Sequence, residues 1–358
     1  MPLNNPLSQA QRAEFLKQSG WSGVSESPVG EDWSQRKFFR IEKNGRTAIV
    51  MHAVPDDDPR STPGHKLHDF ITISGYLRQI GLSVPEVYAH DLKHGLLLVE
   101  DFGVQDFAGF IGQVGGHDRE RDLYLLATKT LSHIYSKTEF IAIDLPDYYA
   151  GHVHKGRQRI VDWYMPSVLQ RKNQDGLVED YLSVWKVIEK SLPRVKRRLL
   201  HGDFHPANLM WLPERQGIQQ TGLIDFQGSM MGPAPYDLVN LLDDARREVP
   251  EDIRQECLSV FVSGMAQEDK DAFLAWYPVL SAQFHCRVIG QALRLAIRDQ
   301  KTRLLDIIPI LRRHLVRDLS SPVLKPMKDW FSAQGVDFTE RGRIDPDVAK
   351  FYIRDDAF

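Results

Sequence analysis

A polar run near the middle of the chain carries residue types suited to phosphoryl transfer. Residues 201–208 have the sequence HGDFHPAN, and Asp225 follows an apolar stretch 22 positions after Asp203. Phosphoryl transfer needs a carboxylate near the attacking hydroxyl, and it needs oxygen ligands for Mg²⁺. We therefore interpret Asp203 as a catalytic base, and Asn208 and Asp225 as Mg²⁺ ligands.

The same residues admit two other interpretations. Asp and Asn are common in turns and caps, so any one of them alone carries little weight. His201, Asp203 and His205 could instead form the zinc cluster of a metallohydrolase, although such enzymes usually need further histidines at clear spacing. The catalytic interpretation is favoured because the three predicted residues occur in register with Asp237. In that case His201 would hold the loop by hydrogen bonds.

The first hundred residues contain strand-like apolar runs separated by turn signals. Asn44 and Gly45 form a strong hairpin signal because both residue types tolerate positive φ. Apolar spacing from Lys66 to Gln79 is helical, and Gly81 ends the pattern. We predict a small antiparallel sheet with one main helix. Its elements are a helix over 8–19, strands over 38–41, 47–51, 84–88 and 96–99, and the main helix over 66–79.

From residue 104 onward the pattern is mostly helical. A non-helical island at 197–232 interrupts the helices, and its short strands would bring the three candidate catalytic residues to one end of a small sheet. The tail after Ser320 is polar and is expected to wrap over the surface. The predicted helices lie near 104–113, 119–137, 157–171, 177–191, 236–247, 250–265, 270–298 and 301–317, and the island strands at 199–200, 208–211 and 221–224.

The motifs together resemble a known superfamily. Residues 201–208 are similar to the catalytic loop of aminoglycoside phosphotransferases and choline kinases, and residues 225–227 (DFQ) to their metal-binding motif. Residues 232–238 (GPAPYDL) resemble the following segment, in which Asp237 would support the catalytic loop by hydrogen bonding. The resemblance implies an ATP-dependent kinase that uses Mg²⁺.

The resemblance also implies a fold class and a division of the chain. The expected fold is α+β and protein-kinase-like, with two lobes. Residues 1–103 would form the small N-terminal nucleotide-binding lobe, which includes the helix over 8–19 and the antiparallel sheet with one main helix. Residues 104–358 would form the larger, mostly helical C-terminal lobe for catalysis and substrate binding.

A narrower resemblance concerns the acceptor. Four segments are similar to bacterial anomeric N-acetylmuramate/N-acetylglucosamine kinases, and the likeness spans roughly residues 29–317. It implies transfer of the γ-phosphoryl group to the anomeric hydroxyl of an N-acetylated amino sugar during cell-wall recycling. The alternatives are an aminoglycoside, a choline-like or another small alcohol, or a non-catalytic nucleotide-binding protein. The four segments are residues 33–40, 97–103, 224–227 and 283–290.

The expected nucleotide site departs from the superfamily pattern at one point. Kinase-like enzymes usually carry a Lys on the third strand, whereas this chain has Met51, as the narrower group also does. Arg36 or Lys37 would supply the missing positive charge, and Asp69 is the acidic candidate on the following helix. Backbone amides near Gly30 would cover the phosphates. The predicted nucleotide-site residues are Ser34, Arg36, Lys37, Met51 and the interlobe residues Glu100, Asp101 and Phe102.

Two further sets of residues each admit two interpretations. Arg287 and Arg294 lie seven positions apart on a predicted helix and therefore on one face. They would form surface salt bridges or approach an anionic substrate group such as a lactyl carboxylate, and salt bridges are the favoured interpretation. Trp163 and Tyr164 would stack on a sugar face or pack in the interior.

Composition narrows the class of protein. The chain has 358 residues and a formal net charge of −3, which gives no reason to expect a nucleic-acid or anionic-membrane partner. Its two cysteines form no zinc or disulfide pattern, and no signal-peptide or membrane-spanning stretch is visible. We expect a cytoplasmic, soluble protein with a small-molecule substrate. A monomer is the default expectation.

Overall fold

The computed structural model describes residues 6–30, 36–61, 66–339 and 344–357. The chain divides into two compact units, Met1–Leu145 with His201–Ser229, and Pro146–Leu200 with Met230–Phe358. This division groups residues 104–145 and 201–229 with the N-terminal sheet. The lobe boundary after Gly103 stays a prediction. Ser34 lies outside the described residues. No helix within the described ranges is long and apolar enough to cross a membrane.

The predicted α+β class is confirmed, with a small antiparallel sheet near the N-terminus and a larger helical part. In chain order the strands are β1 (Glu26–Pro28), β2 (Lys37–Lys43), β3 (Arg46–His52), β4 (Val87–Asp91), β5 (Leu96–Glu100), β6 (Arg197–Leu200), β7 (Leu209–Trp211), β8 (Thr221–Leu223) and β9 (Met230–Pro233).

The helices account for most of the regular structure after β5. They are α1 (Pro6–Gln18), α2 (Leu67–Gln79), α3 (Phe107–Val114), α4 (His117–Lys137), α5 (His152–Lys155), α6 (Met165–Leu169), α7 (Leu177–Ser191), α8 (Pro235–Leu242), α9 (Glu251–Val262), α10 (Gln267–Arg298), α11 (Ile308–Asp318), α12 (Lys325–Ala333) and α13 (Pro346–Ala349).

The first unit contains a five-stranded sheet in the order β1-β2-β3-β5-β4 with antiparallel neighbours. The predicted hairpin at Asn44 and Gly45 is confirmed, with φ values of 53° and 74° between β2 and β3. Two consecutive positive φ values match the right-handed twist of the flanking strands. This turn therefore fixes the register of β2, which carries residues of the site described below.

Alternate residues of β2 face opposite sides of the sheet, as strand geometry requires. Phe39 and Ile41 are buried in a cluster with Phe15 and Leu16 of α1. Arg12 of α1 is also buried there, with its guanidinium 4.1 Å from the centroid of the Phe39 ring. The helix thus covers one face of the sheet, which leaves the other residues of β2 for the opposite face.

The two-stranded hairpin β7–β8 carries the candidate catalytic residues. Leu209 pairs with Leu223, and the backbone N–H of Ile224 donates to the carbonyl oxygen of Asn208 at 3.2 Å. This pairing puts Asn208 directly before β7 and Asp225 two residues after β8. The two residues therefore lie at the same end of one hairpin, as the sequence predicts.

The second unit is built around α10, which spans 32 residues. The buried carboxylate of Asp243 lies beside this helix, and it accepts from Arg254 at 3.2 Å, from Arg317 at 2.8 Å and from Ser281 of α10 at 2.9 Å. The same unit contains the β6–β9 pair, of which β9 was missing from the predicted elements.

The helix predicted over 157–171 is present but irregular, and it lies in a continuous helical run from His152 to Leu169. The segment consists of α5, a 3-10 turn at Gly156–Gln158, a π-helical turn at Ile160–Tyr164, and α6. Apolar residues in this segment are buried on all sides, so its pattern has no single helical face. Trp163 and Tyr164 are among them, with 2% and 1% exposure, and they pack in the interior.

Two further predictions are wrong in detail. The tail after Ser320 contains α12, which buries Met327, Trp330 and Phe331 at helical spacing and donates from Trp330 Nε1 to Asp180 at 2.7 Å. The strand predicted over 84–88 begins later, at Val87, because Pro85 has no N–H to contribute to a ladder.

Candidate active site

His201 joins the catalytic loop to the strand end that precedes Asp225. Its Nε2 lies 3.0 Å from the carbonyl oxygen of Ile224, and its Nδ1 accepts the backbone N–H of Asp203 at 3.3 Å. These partners fix the neutral tautomer with its proton on Nε2. Burial lowers the pKa of His201, which agrees with that tautomer. Since both ring nitrogens are engaged, His201 is poorly suited to bind zinc.

Asp203 is oriented by Asn208 and is still accessible. The amide nitrogen of Asn208 donates to the backbone oxygen of Asp203 at 3.0 Å and to its carboxylate Oδ2 at 3.2 Å. His205 Nε2 lies 3.4 Å from the same Oδ2. The Asp203 side chain is 51% exposed, so its carboxylate can meet a substrate hydroxyl. Gly202, with φ of 89°, provides the turn before it.

Asp225 has a backbone conformation that is uncommon for a residue with a side chain. Its φ is 60°, in the left-handed region, where non-glycine residues are strained. Its Oδ1 accepts from Gln227 Nε2 at 2.7 Å and from Arg36 Nη2 at 3.1 Å. The next residue, Phe226, is fully buried against Phe70 of α2, with ring centroids 4.8 Å apart. The turn thus anchors Phe226 while the Asp225 carboxylate lines a cavity.

This cavity has a volume of about 620 Å³. Its size lies within the range that small-molecule and cofactor sites have. Arg36, Asn208 and Asp225 contribute polar groups to its lining. Met51, at the position where the resemblance leads us to expect Lys, is buried and belongs to the apolar part of this lining. The apolar lining includes Phe38, Ile49, Met51, Val99, Met210 and Ile224.

Residues 100–103 line the same cavity, but the carboxylates of Glu100 and Asp101 are paired with arginines. Asp101 accepts from Arg40 Nε at 2.6 Å, from Arg40 Nη2 at 2.9 Å and from the N–H of Gly103 at 2.9 Å. Burial acts to raise the pKa of Asp101, but the hydrogen bonds from Arg40 and Gly103 leave it below its usual value. Glu100 pairs with Arg215. The side chains of Glu100 and Asp101 therefore brace this segment.

Phe102 lies against the hairpin that carries the catalytic residues. A β-carbon at Gly222 of β8 would lie 2.8 Å from the Phe102 ring. Arg215 covers the ring, with its guanidinium carbon 5.0 Å from the centroid. Only glycine at position 222 allows this close approach. Phe102 thus combines core contacts with a place in the cavity lining.

The structure separates Arg36 from Lys37. Arg36, Phe38 and Arg40 alternate along the chain and all line the cavity, whereas Lys37 is exposed and absent from that lining. Asp69 of α2 is also absent from the lining. Asp237 is buried in the second unit, and its support of the catalytic loop stays a prediction.

Sequence reasoning missed two residues of this site. Gln227 holds the Asp225 carboxylate, and Arg40 holds Asp101. The signal for Arg40 was its alternation with Phe38 in the predicted strand over 38–41, because alternate residues of a strand share a face. Gln227 belongs to the DFQ motif, but spacing alone does not show that its amide turns back to Asp225.

Comparisons with known proteins agree with this geometry. The family model described as "APH: Phosphotransferase enzyme family" matches residues 25–262. An N-acetylmuramate/N-acetylglucosamine kinase of Caulobacter vibrioides is 29% identical over 90% of this chain and 95% of its own length. A protein of the same name from Pseudomonas aeruginosa is 27% identical over 84% of this chain and 87% of its own length.

Solved structures confirm the predicted protein-kinase-like, two-lobed α+β fold. The GDP complex of aminoglycoside 2'-phosphotransferase-IIIa matches with a TM-score of 0.58 at 16% identity, covering 88% of this chain and 100% of that chain. An ethanolamine kinase from Plasmodium vivax matches with a TM-score of 0.57 at 10% identity, covering 90% of each chain. Identity at this level supports the fold alone.

Proposed function

The chain belongs to the phosphotransferase enzyme family, and we propose that it transfers the γ-phosphoryl group of ATP to the anomeric hydroxyl of an N-acetylated amino sugar. The acceptor is inferred from the curated relatives, which are named N-acetylmuramate/N-acetylglucosamine kinases and align over most of the chain. N-acetylmuramate and N-acetylglucosamine are therefore the first acceptors to test.

The geometry around Asp203 is the observation that carries the proposed chemistry. Its carboxylate is half exposed and is oriented by Asn208. In the proposed reaction Asp203 accepts the proton of the sugar hydroxyl as the hydroxyl oxygen attacks the γ-phosphorus. The bond from that phosphorus to the bridging oxygen breaks, and ADP leaves. Positioning and charge stabilisation supply most of the catalysis in this class of reaction.

Asn208 and Asp225 are proposed to hold Mg²⁺. The donor set fits a hard cation, because Asn208 uses its amide nitrogen on Asp203 and retains its amide oxygen, and Asp225 accepts both of its hydrogen bonds on Oδ1. When bound, Mg²⁺ supplies charge neutralisation for the phosphate oxygens. Gln227 and Arg36 then keep the Asp225 carboxylate in place.

Arg36 is proposed to supply the positive charge that the third strand lacks. Its side chain is buried to 8% exposure, lines the cavity and already reaches the Asp225 carboxylate. A guanidinium has several donors in a planar fork and can contact a carboxylate and a phosphate together. The apolar lining around Met51 suits the adenine ring, which leaves backbone groups of residues 100–103 to recognise its edge.

An acceptor screen with the purified protein tests the proposal. ADP release is measured with N-acetylmuramate, N-acetylglucosamine, aminoglycosides and choline-like alcohols, and ³¹P NMR identifies the phosphorylated position. We expect turnover with the amino sugars and an anomeric phosphate as product. Turnover only with aminoglycosides or choline-like alcohols would contradict the proposed acceptor and retain the kinase chemistry.

Asp203→Asn tests the catalytic base separately. The turnover number is expected to fall about 10²- to 10⁴-fold, the usual contribution of a general base. ATP affinity should be unchanged, because the variant keeps the shape of the loop. Asp329→Asn, at an exposed position of α12, is the control and should retain wild-type turnover. If Asp203→Asn turned over at near the wild-type rate, Asp203 would not be the base. ATP binding without turnover on any acceptor would favour a non-catalytic protein.

A further inference from the structure

An arginine lies against the carboxylate that the proposed metal site uses. Arg36 Nη2 is 3.1 Å from Asp225 Oδ1, and the Arg36 side chain is buried, whereas that of Asp225 is partly exposed. The guanidinium carbon also lies over the ring of Phe38, 5.9 Å from its centroid. All three residues belong to the first unit and line the same cavity. A positive charge is therefore enclosed in the protein beside a carboxylate that a ligand can reach.

The two side chains that donate to Asp225 share one of its oxygens. Gln227 Nε2 donates to Oδ1 at 2.7 Å, and Arg36 Nη2 donates to the same atom. Oδ2 accepts from neither of them, so it is the oxygen that can bind a cation. Gln227 is buried and neutral, so Arg36 alone of these two donors brings a charge. The charge of the proposed Mg²⁺ ligand is thus already balanced by Arg36.

The other acids of the cavity lining add little attraction for a cation. Asp101 pairs with Arg40, Glu100 pairs with Arg215, and Asp106 caps the N-terminus of α3. Within the described ranges no three acidic, histidine or cysteine side chains converge as a metal site of protein ligands would require. Mg²⁺ is usually bound by one or two carboxylates together with substrate phosphates. The cation at this site therefore depends on oxygens that the nucleotide supplies.

Asp203 is the remaining acid near Asp225. Its Oδ2 accepts from Asn208 at 3.2 Å and lies 3.4 Å from His205 Nε2, and its side chain is absent from the cavity lining. Its negative charge still acts on a cation held by Asn208 and Asp225. Arg36 is therefore expected to change how strongly a cation binds, rather than whether it binds at all.

We propose that Arg36 selects the metal–nucleotide complex over the free divalent cation. The proposal rests on the proposed function, because it concerns the same Mg²⁺ and phosphate site. A guanidinium at this place repels a free dication that approaches Asp225, and it attracts Mg-ATP, which keeps a net negative charge. Its planar donors can contact the carboxylate and a phosphate oxygen together. Arg36 thus weakens the binding of the cation alone and strengthens that of the complex.

Two binding measurements on Arg36→Met test the proposal, and changes of opposite sign are expected. Electron paramagnetic resonance of Mn²⁺ without nucleotide measures the affinity for the free cation, which should rise about tenfold when the repelling charge is removed. Isothermal titration calorimetry with Mg²⁺ and a non-hydrolysable ATP analogue measures the affinity for the complex. That affinity should fall about tenfold, as for the loss of one charge-assisted contact. A general folding defect would weaken both.

Three further variants assign the effects to the charge of Arg36. Arg36→Lys keeps a positive charge, so its affinity for free Mn²⁺ should stay within about threefold of wild type. Lys37→Met removes a charge from the exposed neighbour and should change both affinities less than about twofold. Arg36→Met combined with Asp225→Asn should lose the gain in Mn²⁺ affinity, because the cation then lacks its carboxylate.

Unchanged or weaker Mn²⁺ binding by Arg36→Met would overturn the proposal, and so would a gain that persists in the double variant. Neither measurement needs an acceptor or turnover, so both are independent of the acceptor screen. Opposite changes in the two affinities without phosphorylation of any sugar would support this role of Arg36 and contradict the proposed acceptor. Phosphorylation of the sugars, with both affinities changed in the same direction, would retain the proposed function and overturn the role of Arg36.

Discussion

Two segments line the same cavity and use the same residue type in opposite ways. In residues 100–103, Asp101 is 3% exposed and takes three hydrogen bonds from Arg40 and Gly103. In the hairpin, Asp225 is 40% exposed and Asp203 is 51% exposed. A buried carboxylate that is enclosed by fixed donors contributes to stability. A partly exposed carboxylate with fewer donors keeps the capacity to bind a ligand.

The two segments also differ in backbone conformation. Asp225 has φ of 60°, so the turn after β8 stores strain at the carboxylate. Strain of this kind persists only when neighbouring contacts hold it, and here the buried Phe226 does so. The hydrogen bond that Asp101 makes with the N–H of Gly103 instead closes a compact local turn. The comparison therefore predicts that the same substitution will affect activity in one segment and stability in the other.

Asp225→Asn should have the largest effect on activity. The variant removes one negative charge and keeps the size of the side chain, so the proposed Mg²⁺ site loses its carboxylate. We expect the turnover number to fall about 10²- to 10³-fold, as when a main electrostatic group of a site is removed. The free energy of unfolding should change by less than about 1 kcal/mol, because the pair with Arg36 is partly exposed.

Steady-state ADP release at saturating Mg²⁺ and chemical denaturation check both halves of that prediction. If turnover stayed within threefold of wild type, Asp225 would not be a metal ligand. If the variant instead lost several kcal/mol of stability, Asp225 would resemble Asp101, and the contrast between the two segments would disappear.

Asp101→Asn should have the reverse profile. Its amide cannot accept the paired donors of Arg40 as a carboxylate does, so a charged donor loses its partner close to the cavity. We expect a loss of about 2 kcal/mol in the free energy of unfolding, discounted because Arg40 is 26% exposed. The turnover number should stay within about threefold, since the carboxylate does not face the reacting atoms.

The pH dependence of stability provides the control for Asp101. Its pKa in the folded protein is lowered, so its contribution to stability is present above the unfolded pKa and is lost as the pH falls through the folded value. The stability difference between wild type and Asp101→Asn should be constant above about pH 5 and should shrink below about pH 4. A difference that stayed constant down to about pH 2 would mean that the Arg40 pair is not its source.

The hairpin and its candidate catalytic residues could be predicted from the sequence because their contacts join residues that are close together in the chain. Asp203 and Asn208 are five residues apart, and the hairpin strands were visible as short apolar runs. The contact between Arg40 and Asp101 joins residues 61 positions apart, and that between Arg36 and Asp225 joins residues 189 apart. Spacing within one segment carries no information about such partners.

Local irregularity limited the prediction elsewhere. The π-helical turn at Ile160–Tyr164 changes the helical phase inside an apolar run, so periodicity alone could not show that the helix is irregular there. The close packing of Arg159 against α10 depends on Gly156 and Gly290. Both glycines are visible in the sequence, but their neighbours become known only in the folded unit.

Arg36 directly precedes β2 and Lys37 is its first residue, so these neighbours allow the test with the smallest expected effect. Arg36 lines the cavity and contacts Asp225, while Lys37 is exposed. Arg36→Met should raise the KM for ATP about tenfold, the effect of losing one charge-assisted contact to phosphate. Lys37→Met removes one positive charge at the neighbouring residue and should change the KM less than twofold. Equal effects in the two variants would show that net positive charge, rather than its position at the cavity, determines ATP binding.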